Sequence, residues 1–121
     1  MRELEKIMVN GVRYIIWDEM LGICPQADGI ALLLSARDGI GADVLLVIPQ
    51  DRPLAIRSYA KDGHEIAVDE NARNAASLSF ENMTMLNRNE ETYAVDRIEV
   101  RLTDSFCHRL FPSEKRACIA G

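Results

Sequence analysis

The dipeptide Asn10-Gly11 lies between two segments rich in apolar and β-branched residues, and it constrains the fold more than any other feature of the sequence. Leu4 to Val9 alternates loosely, and Val12 to Trp17 has the composition of a strand. Asn-Gly favours a two-residue turn whose twist suits a hairpin. The chain is therefore predicted to open with an antiparallel hairpin.

The middle of the chain predicts a buried strand followed by a second hairpin. Val44 to Ile48 is apolar throughout, as in a strand that is covered on both faces. Leu54 to Tyr59 alternates, Asp62-Gly63 favours a turn, and Glu65 to Val68 returns along the first strand.

Two helices are predicted between these strands. Pro25 suits a first helical turn, apolar residues follow it at helical spacing, and Asp38-Gly39 supplies a stop. Asp69 is a good N-cap for a second helix from about Glu70 to about Asn82, with alanines on its apolar face.

The last third of the chain predicts strands. Tyr93 to Leu102 alternates, and Phe106 to Phe111 and Arg116 to Ala120 are short strand candidates. The order of strands and helices indicates a single α+β domain over residues 1–121. Its sheet is expected to be mainly antiparallel and curled like a barrel around a central helix.

Charge and hydropathy argue against two classes of partner. The net charge is −5, and no run of Lys and Arg exceeds the pair Lys115-Arg116, which argues against a nucleic-acid surface or binding to an anionic membrane. The longest apolar stretch, Val44 to Pro49, is far below the roughly 20 residues of a membrane span.

The cysteines predict neither a metal site nor export. Cys24, Cys107 and Cys118 form no CxxC pair, and with only two histidines no zinc spacing is present. The first residues contain acidic side chains and no hydrophobic block, so no signal peptide is expected. A reduced cytoplasmic compartment is the expected location.

Four blocks along the chain together resemble the motifs of one known family. Gly39 to Ile48 reads GIGADVLLVI, Gly11 to Asp18 reads GVRYIIWD, and Ile56 to Gly63 reads IRSYAKDG. These blocks resemble GIGADGLLLL, GNDFVVID and RIFNADG of diaminopimelate epimerases. Ala72-Arg73 falls where the family's CGNGARC motif ends. The blocks lie within residues 8 to 75. At 121 residues the chain has the length of one lobe, the N-terminal one, of a family that is related to lysine biosynthesis.

The resemblance implies a chemistry that needs two lobes. In the family each lobe supplies one cysteine, and the pair moves a proton at the α-carbon of an amino acid without a cofactor. Here the cysteine position falls on Val68 or Asp69, neither of which can replace a thiol, and the motif's glycines are absent. Val12 and Ala60 stand where the family has substrate-binding asparagines, so hydrogen-bonding capacity is lost there as well.

The remaining candidates for the ligand cleft lie at the start of the second helix. Asp69 and Glu70 place two carboxylates where a substrate carboxylate would bind, and they are expected to cap the helix instead. An acid–base role for these two residues is the alternative. Asn71 and Arg73 complete the candidate set, and local ion pairs are the simpler expectation for Arg73.

The adjacent pair Cys107-His108 is the other candidate for chemistry. Neighbouring residues on a strand point to opposite faces, so a direct thiol–imidazole dyad is not expected in the strand predicted there. Trp17 is expected in the core.

Three functions follow from these observations. The first is a catalytically inactive, epimerase-lobe-like protein that forms a homodimer through the face that normally meets the second lobe. The second is half of a divergent, cofactor-independent amino-acid epimerase that needs a lobe from elsewhere. The third is a binding module in which Asp69 and Glu70 face a small amine or amino acid.

Overall fold

The computed structural model describes residues 2–49, 55–80, 87–88, 91–92 and 95–111. The strands are β1 (Arg2–Val9), β2 (Val12–Asp18), β3 (Val44–Ile48), β4 (Arg57–Tyr59), β5 (Glu65–Ile66), β6 (Asn87–Arg88), β7 (Glu91–Thr92) and β8 (Val95–Leu102). The helices are α1 (Ala27–Leu34), α2 (Glu70–Phe80) and α3 (Asp104–Leu110), and a 3-10 turn spans Glu19–Leu21.

Six strands form one mixed sheet in the order β5-β4-β3-β2-β1-β8, while β6 and β7 pair with each other. Among the described strands only β2 and β3 run parallel to each other, and α1 connects them. The other neighbours pair antiparallel, including β8 along the whole of β1. The predicted predominance of antiparallel pairing is therefore confirmed.

The opening hairpin is formed as predicted. Val9 pairs with Val12, which leaves Asn10 and Gly11 as the two turn residues. Their φ values of 52° and 80° are the left-handed conformations that a type I′ turn needs at both positions. Asn and Gly tolerate this region better than other residues, so the turn is set locally by the sequence.

Helices α1 and α3 cover one face of the sheet. The apolar residues buried there come from the central strands and from both helices: Leu4, Ile15, Trp17, Ile30, Leu33, Leu34, Ala42, Leu45, Val47, Leu102, Cys107, Leu110 and Phe111. The ring of Trp17 contacts that of Phe111 with centroids 6.0 Å apart, and its indole N–H donates to the Gly22 carbonyl at 3.0 Å. The prediction of a core position for Trp17 is confirmed.

Helix α2 covers the opposite face. Its small apolar residues pack on alternate residues of the same strands, and this second core contains Ile7, Val9, Tyr14, Ile16, Leu46, Ile48, Ala72, Ala75, Ala76 and Leu78. Alanines let the helix lie close to the sheet, so the larger strand side chains fill the space between them.

The α+β class is confirmed, but the curled barrel is not formed. The described sheet is open, and helices lie on both of its faces rather than at the centre of a barrel. The composition of β2 and β3 gives the reason, because successive apolar residues point to opposite faces and both faces need cover. Ile15 and Trp17 face α1, whereas Tyr14 and Ile16 face α2.

The predicted strand at Phe106 to Phe111 is wrong, since this segment is helix α3. The Thr103 hydroxyl caps the helix by accepting from the Phe106 N–H at 3.2 Å. Cys107, Leu110 and Phe111 are all buried. This spacing of three and four residues is the helical period, and it outweighs the β-propensity of the phenylalanines.

Helix α1 ends before the predicted stop at Asp38-Gly39. Ser35 adopts an extended conformation, and its hydroxyl accepts from the N–H groups of Arg37 and Asp38. Leu54, Tyr93, the end predicted for α2 at Asn82, and the strand predicted at Arg116 to Ala120 lie outside the described residues. No helix among the described residues is long and apolar enough to cross a membrane.

Candidate functional site at the start of helix α2

Asp69 caps helix α2 as the sequence predicts. Its carboxylate accepts a hydrogen bond from the Ala72 N–H at 2.8 Å, and its carbonyl accepts from the Arg73 N–H at 3.1 Å. Glu70 adds a second carboxylate to the first turn. Both negative charges lie at the positive end of the helix dipole, which stabilises the helix. They also oppose the approach of an anionic ligand to this helix end.

Asn71 connects the same helix turn to the opening hairpin. Its side-chain Nδ2 donates to the Val9 carbonyl at 2.9 Å and to the Tyr14 hydroxyl at 2.8 Å. Its Oδ1 accepts from the Nδ2 of Asn10, also at 2.9 Å. The amide thus uses both of its N–H groups and its oxygen in hydrogen bonds within the protein. These bonds hold the hairpin turn against α2.

Tyr14 lies beneath this connection. The side chain is almost fully buried between the sheet and α2. Burial raises the pKa of Tyr14, because the phenolate would lose its hydration, while the hydrogen bond from Asn71 acts in the opposite direction. The hydroxyl is therefore held neutral, as a structural acceptor for the Asn71 amide.

The other residues matched to the family's cleft make apolar or backbone contacts. Val12 and Val68 pack against the core under α2. Ala60 lies in the turn between β4 and β5, where its N–H and carbonyl bond the backbone of His64 and Gly63 at 2.9 Å each. None of these three positions offers a polar side chain to a ligand.

Arg73 is exposed on helix α2. Within the described part of the chain its guanidinium forms no ion pair with Asp69 or Glu70, so the expected local ion pairs are not formed. The structure places Asp69, Glu70 and Asn71 together at one helix end, but it ties only Asp69 and Asn71 into hydrogen bonds there.

A charged cluster that the sequence did not predict lies at the edge of β2. The Asp43 carboxylate accepts from the Arg13 backbone N–H at 2.9 Å and from its Nε and Nη2 at 3.3 and 3.2 Å. Lys61 Nζ lies 3.7 Å from the same carboxylate. Hydrogen bonding from Arg13 is the main cause that lowers the pKa of Asp43, and Lys61 adds a smaller effect of the same sign.

A second unpredicted ion pair holds the loop after β2. Glu19 accepts from Arg57 Nη2 at 3.3 Å through Oε1 and from the Cys24 N–H at 3.1 Å through Oε2. It therefore fixes the entry to helix α1 against strand β4. Sequence spacing could not reveal either cluster, because the partners lie 30 and 38 residues apart.

The Cys107-His108 pair forms no dyad, although not for the predicted reason. Both residues lie on helix α3 rather than on a strand. Cys107 is buried and disulfide-bonded, while His108 is exposed. Cys24 is a free, half-buried thiol. Among the residues that the structure describes, no group of three or more histidine, cysteine or acidic side chains could hold a metal ion.

Capping and hydrogen bonding are the interactions that the structure shows at the start of α2. No described thiol lies at this helix end, the side chains of Asp69 and Asn71 bond to the protein itself, and Glu70 is exposed. Comparison of the sequence with protein-family models and with curated proteins finds no match.

Proposed function

We infer that this chain is a catalytically inactive, homodimeric module whose sequence resembles a single lobe of diaminopimelate epimerase. The observation that supports this most directly is the Asp69 carboxylate bonded to the Ala72 N–H at 2.8 Å. In diaminopimelate epimerases, which the sequence resembles, the corresponding helix end binds the carboxylate of the substrate and carries the thiol. A carboxylate that already occupies it repels such a substrate by charge and takes one of the donors.

The bonds of Asn71 support the same conclusion. A ligand site at the start of α2 needs side chains that can turn towards the ligand. Asn71 instead holds the Val9 carbonyl and the Tyr14 hydroxyl, and releasing it would leave a buried hydroxyl without this donor. The start of α2 therefore has the properties of a structural contact between the helix and the opening hairpin.

An exchange assay tests the absence of catalysis. The full chain is incubated in heavy water with diaminopimelate and with a panel of other amino acids, and incorporation of deuterium at the α-carbon is followed by mass spectrometry. We expect no exchange above the rate without protein. Exchange that disappears in an Asp69→Asn variant would overturn the proposal and would favour the half-epimerase, with an acidic residue in place of the thiol.

Light scattering after gel filtration tests the homodimer. The proposal requires a mass of two chains over a range of concentrations, whereas a single chain at every concentration contradicts it.

The exposure of Asp69 and Glu70 favours one further candidate function, a binding site for small amines. A thermal-shift screen of amines against matched carboxylic acids separates the amine-binding site from the structural module. Only an amine site gives a stabilisation that rises with amine concentration and is lost in Glu70→Gln.

A further inference from the structure

Strand β8 lies at the end of the described sheet and has the properties of a pairing edge. It is eight residues long and runs beside β1 without a bulge. Within the described residues no strand pairs with its outer side. Exposed edges are normally protected by proline, a bulge, a short strand or charged side chains, and of these features β8 has only charged side chains.

An exposed apolar side chain lies at the middle of this edge. Ile98 is 54% exposed, on the face of the sheet that carries α1 and α3. On the same face a groove of about 280 Å³ is bordered by Ile40, Val100, Leu102 and Phe106. A partner that pairs with β8 would cover both the isoleucine and part of the groove.

We propose that β8 pairs antiparallel with β8 of a second copy of this chain, about a two-fold axis that passes midway between the two Ile98 residues. Six strands from each copy then form one continuous sheet, with α1 and α3 of both copies on the same face. This rests on the proposed function, since it names the surface through which the proposed homodimer forms.

Symmetry restricts the register of such a pair. Residues opposite each other in an antiparallel pair point to the same face, and a two-fold axis perpendicular to the sheet keeps each residue on its own face. The axis must therefore pass midway between the two copies of one residue, and this residue faces itself across the axis. Each candidate register is then defined by the residue that faces its own copy.

Charge selects among these registers. A centre at Asp96, Arg97 or Glu99 places like charges directly opposite each other, which is destabilising. A centre at Ile98 places Ile98 against its own copy and sets position 97, an arginine, opposite position 99 of the partner, a glutamate. The symmetry repeats this favourable pairing on the other side of the axis.

A centre at Val100 also avoids like charges, but it pairs less of the strand. It aligns residues 98–102 of the two copies, whereas the centre at Ile98 aligns residues 95–101. The longer ladder satisfies more backbone groups and brings the exposed Ile98 side chains into contact, so the register at Ile98 is preferred.

Cysteine crosslinking tests the register in the full chain. In the proposed dimer the two Cα atoms at position 98 lie roughly 4.5–5.5 Å apart, within reach of a disulfide. Those at position 100 are separated by about 13 Å along the strands. We expect Ile98→Cys to give a covalent dimer on mild oxidation and Val100→Cys to give no more than the unmodified protein. The reverse pattern would overturn the proposed register.

A charge exchange tests the pairing without dependence on oxidation. Glu99→Arg sets arginines opposite each other in both pairs and is expected to raise the dimer Kd roughly tenfold or more in sedimentation velocity. The double variant Arg97→Glu with Glu99→Arg restores opposite charges and should return the Kd to within about threefold of the original. Recovery in the double variant cannot come from misfolding.

The outcomes separate this proposal from the proposed function. A dimer that is unaffected by Glu99→Arg, and that is not crosslinked through position 98, overturns the β8 interface but leaves the homodimer intact. A chain that stays monomeric at all concentrations overturns both. Deuterium exchange at an α-carbon overturns only the inactive character of the module, because the strand pairing does not depend on it.

Discussion

The side-chain amide of Asn71 lies 2.8 Å from the hydroxyl of Tyr14, which joins the first turn of α2 to strand β2. The same nitrogen reaches the Val9 carbonyl at 2.9 Å, so one amide satisfies two acceptors on the opening hairpin. Tyr14 is 2% exposed, and water cannot easily replace the lost donor. The stability of the helix end and of the hairpin should therefore depend on this contact.

Substitution of Asn71 tests that dependence. Asn71→Ala leaves the buried Tyr14 hydroxyl without this donor, and we expect the free energy of unfolding in urea to fall by about 1–3 kcal/mol. Tyr14→Phe in the Asn71→Ala background should cost less than in the original chain. A double-mutant cycle is expected to give a coupling of roughly 0.5–1.5 kcal/mol.

Asn74 on the same helix supplies the control. Within the described residues its side chain makes no hydrogen bond, and alanine favours a helix more than asparagine does. Asn74→Ala should therefore be neutral or slightly stabilising. Equal losses in Asn71→Ala and Asn74→Ala, or a coupling near zero with Tyr14, would show that the contact contributes nothing specific.

The cap at Asp69 gives a second prediction. Asp69→Ala removes the acceptor for the Ala72 N–H and should lower the free energy of unfolding by about 0.5–2 kcal/mol. Asp69→Asn and Asp69→Ser keep a side-chain acceptor and should lose much less. The ranking by urea unfolding is the decisive result. If Asn and Ser destabilise as strongly as Ala, the carboxylate has a role other than capping.

Local features of the fold were predictable because neighbouring residues determine them. Asn10-Gly11 prefers the backbone of its turn, and Asp69 prefers the cap position, whatever surrounds them. Both predictions depended on a few adjacent residues, and both are confirmed. The strand predicted at Phe106 to Phe111 is helix α3 instead, because the cap at Thr103 and the helical spacing of the buried residues outweigh the strand preference of the two phenylalanines.

The contacts that hold the candidate site together could not be predicted in this way. Asn71 and Val9 are 62 residues apart, and Arg13 and Asp43 are 30 residues apart. Their pairing depends on which strands are neighbours, and no periodicity or motif in the sequence encodes that. The helices that cover the two faces of the sheet could not be predicted either. The composition of an apolar strand such as β3 indicates that the strand is buried, but not which helix buries it.

Asp43 makes the stability of the protein depend on pH. Hydrogen bonding from Arg13 lowers the pKa of Asp43 in the folded state, whereas the unfolded value is about 3.9. A lowered folded pKa means that the carboxylate stabilises the fold above about pH 4, and that this contribution is lost as the pH falls through the folded value. The ion pair is half-exposed, so its contribution is expected to be modest, about 0.2–1 kcal/mol.

Comparison with Asp43→Asn isolates this contribution. The difference in free energy of unfolding between the original chain and the variant should be largest near neutral pH and should shrink towards about pH 2. About 1 M salt should reduce it at neutral pH, because the side chains of Arg13 and Lys61 are solvent-accessible. A difference that stays constant across the pH range would mean that the charge of Asp43 does not stabilise the fold.

At Ser58, unlike at the positions above, we expect that removal of a polar group does not lower the stability of the protein. Its side chain is 1% exposed on β4, and its hydroxyl has no hydrogen-bond partner in the described part of the chain. Ser58→Ala removes a polar group that has lost its water, so stability should be unchanged or should rise by up to about 1 kcal/mol. Leu46→Ala, at the position paired with Ser58, should instead cost roughly 2–5 kcal/mol. A clear loss in Ser58→Ala would reveal a partner for the hydroxyl.

Gly39 and Gly11 differ in the reason that each position is a glycine. A methyl group added at Gly39 would lie 2.0 Å from the Leu32 carbonyl oxygen, whereas at Gly11 no atom lies within 4 Å of it. Gly39→Ala must therefore displace the loop whose N–H groups bond the last carbonyls of α1, including Ile40 to Leu33 at 3.0 Å. We expect it to lower the free energy of unfolding by more than about 2 kcal/mol. Gly11→Ala meets only the cost of a left-handed backbone, about 1–2 kcal/mol. Urea unfolding of both variants gives the comparison, and a larger loss at Gly11 than at Gly39 would contradict the close approach of the loop to α1.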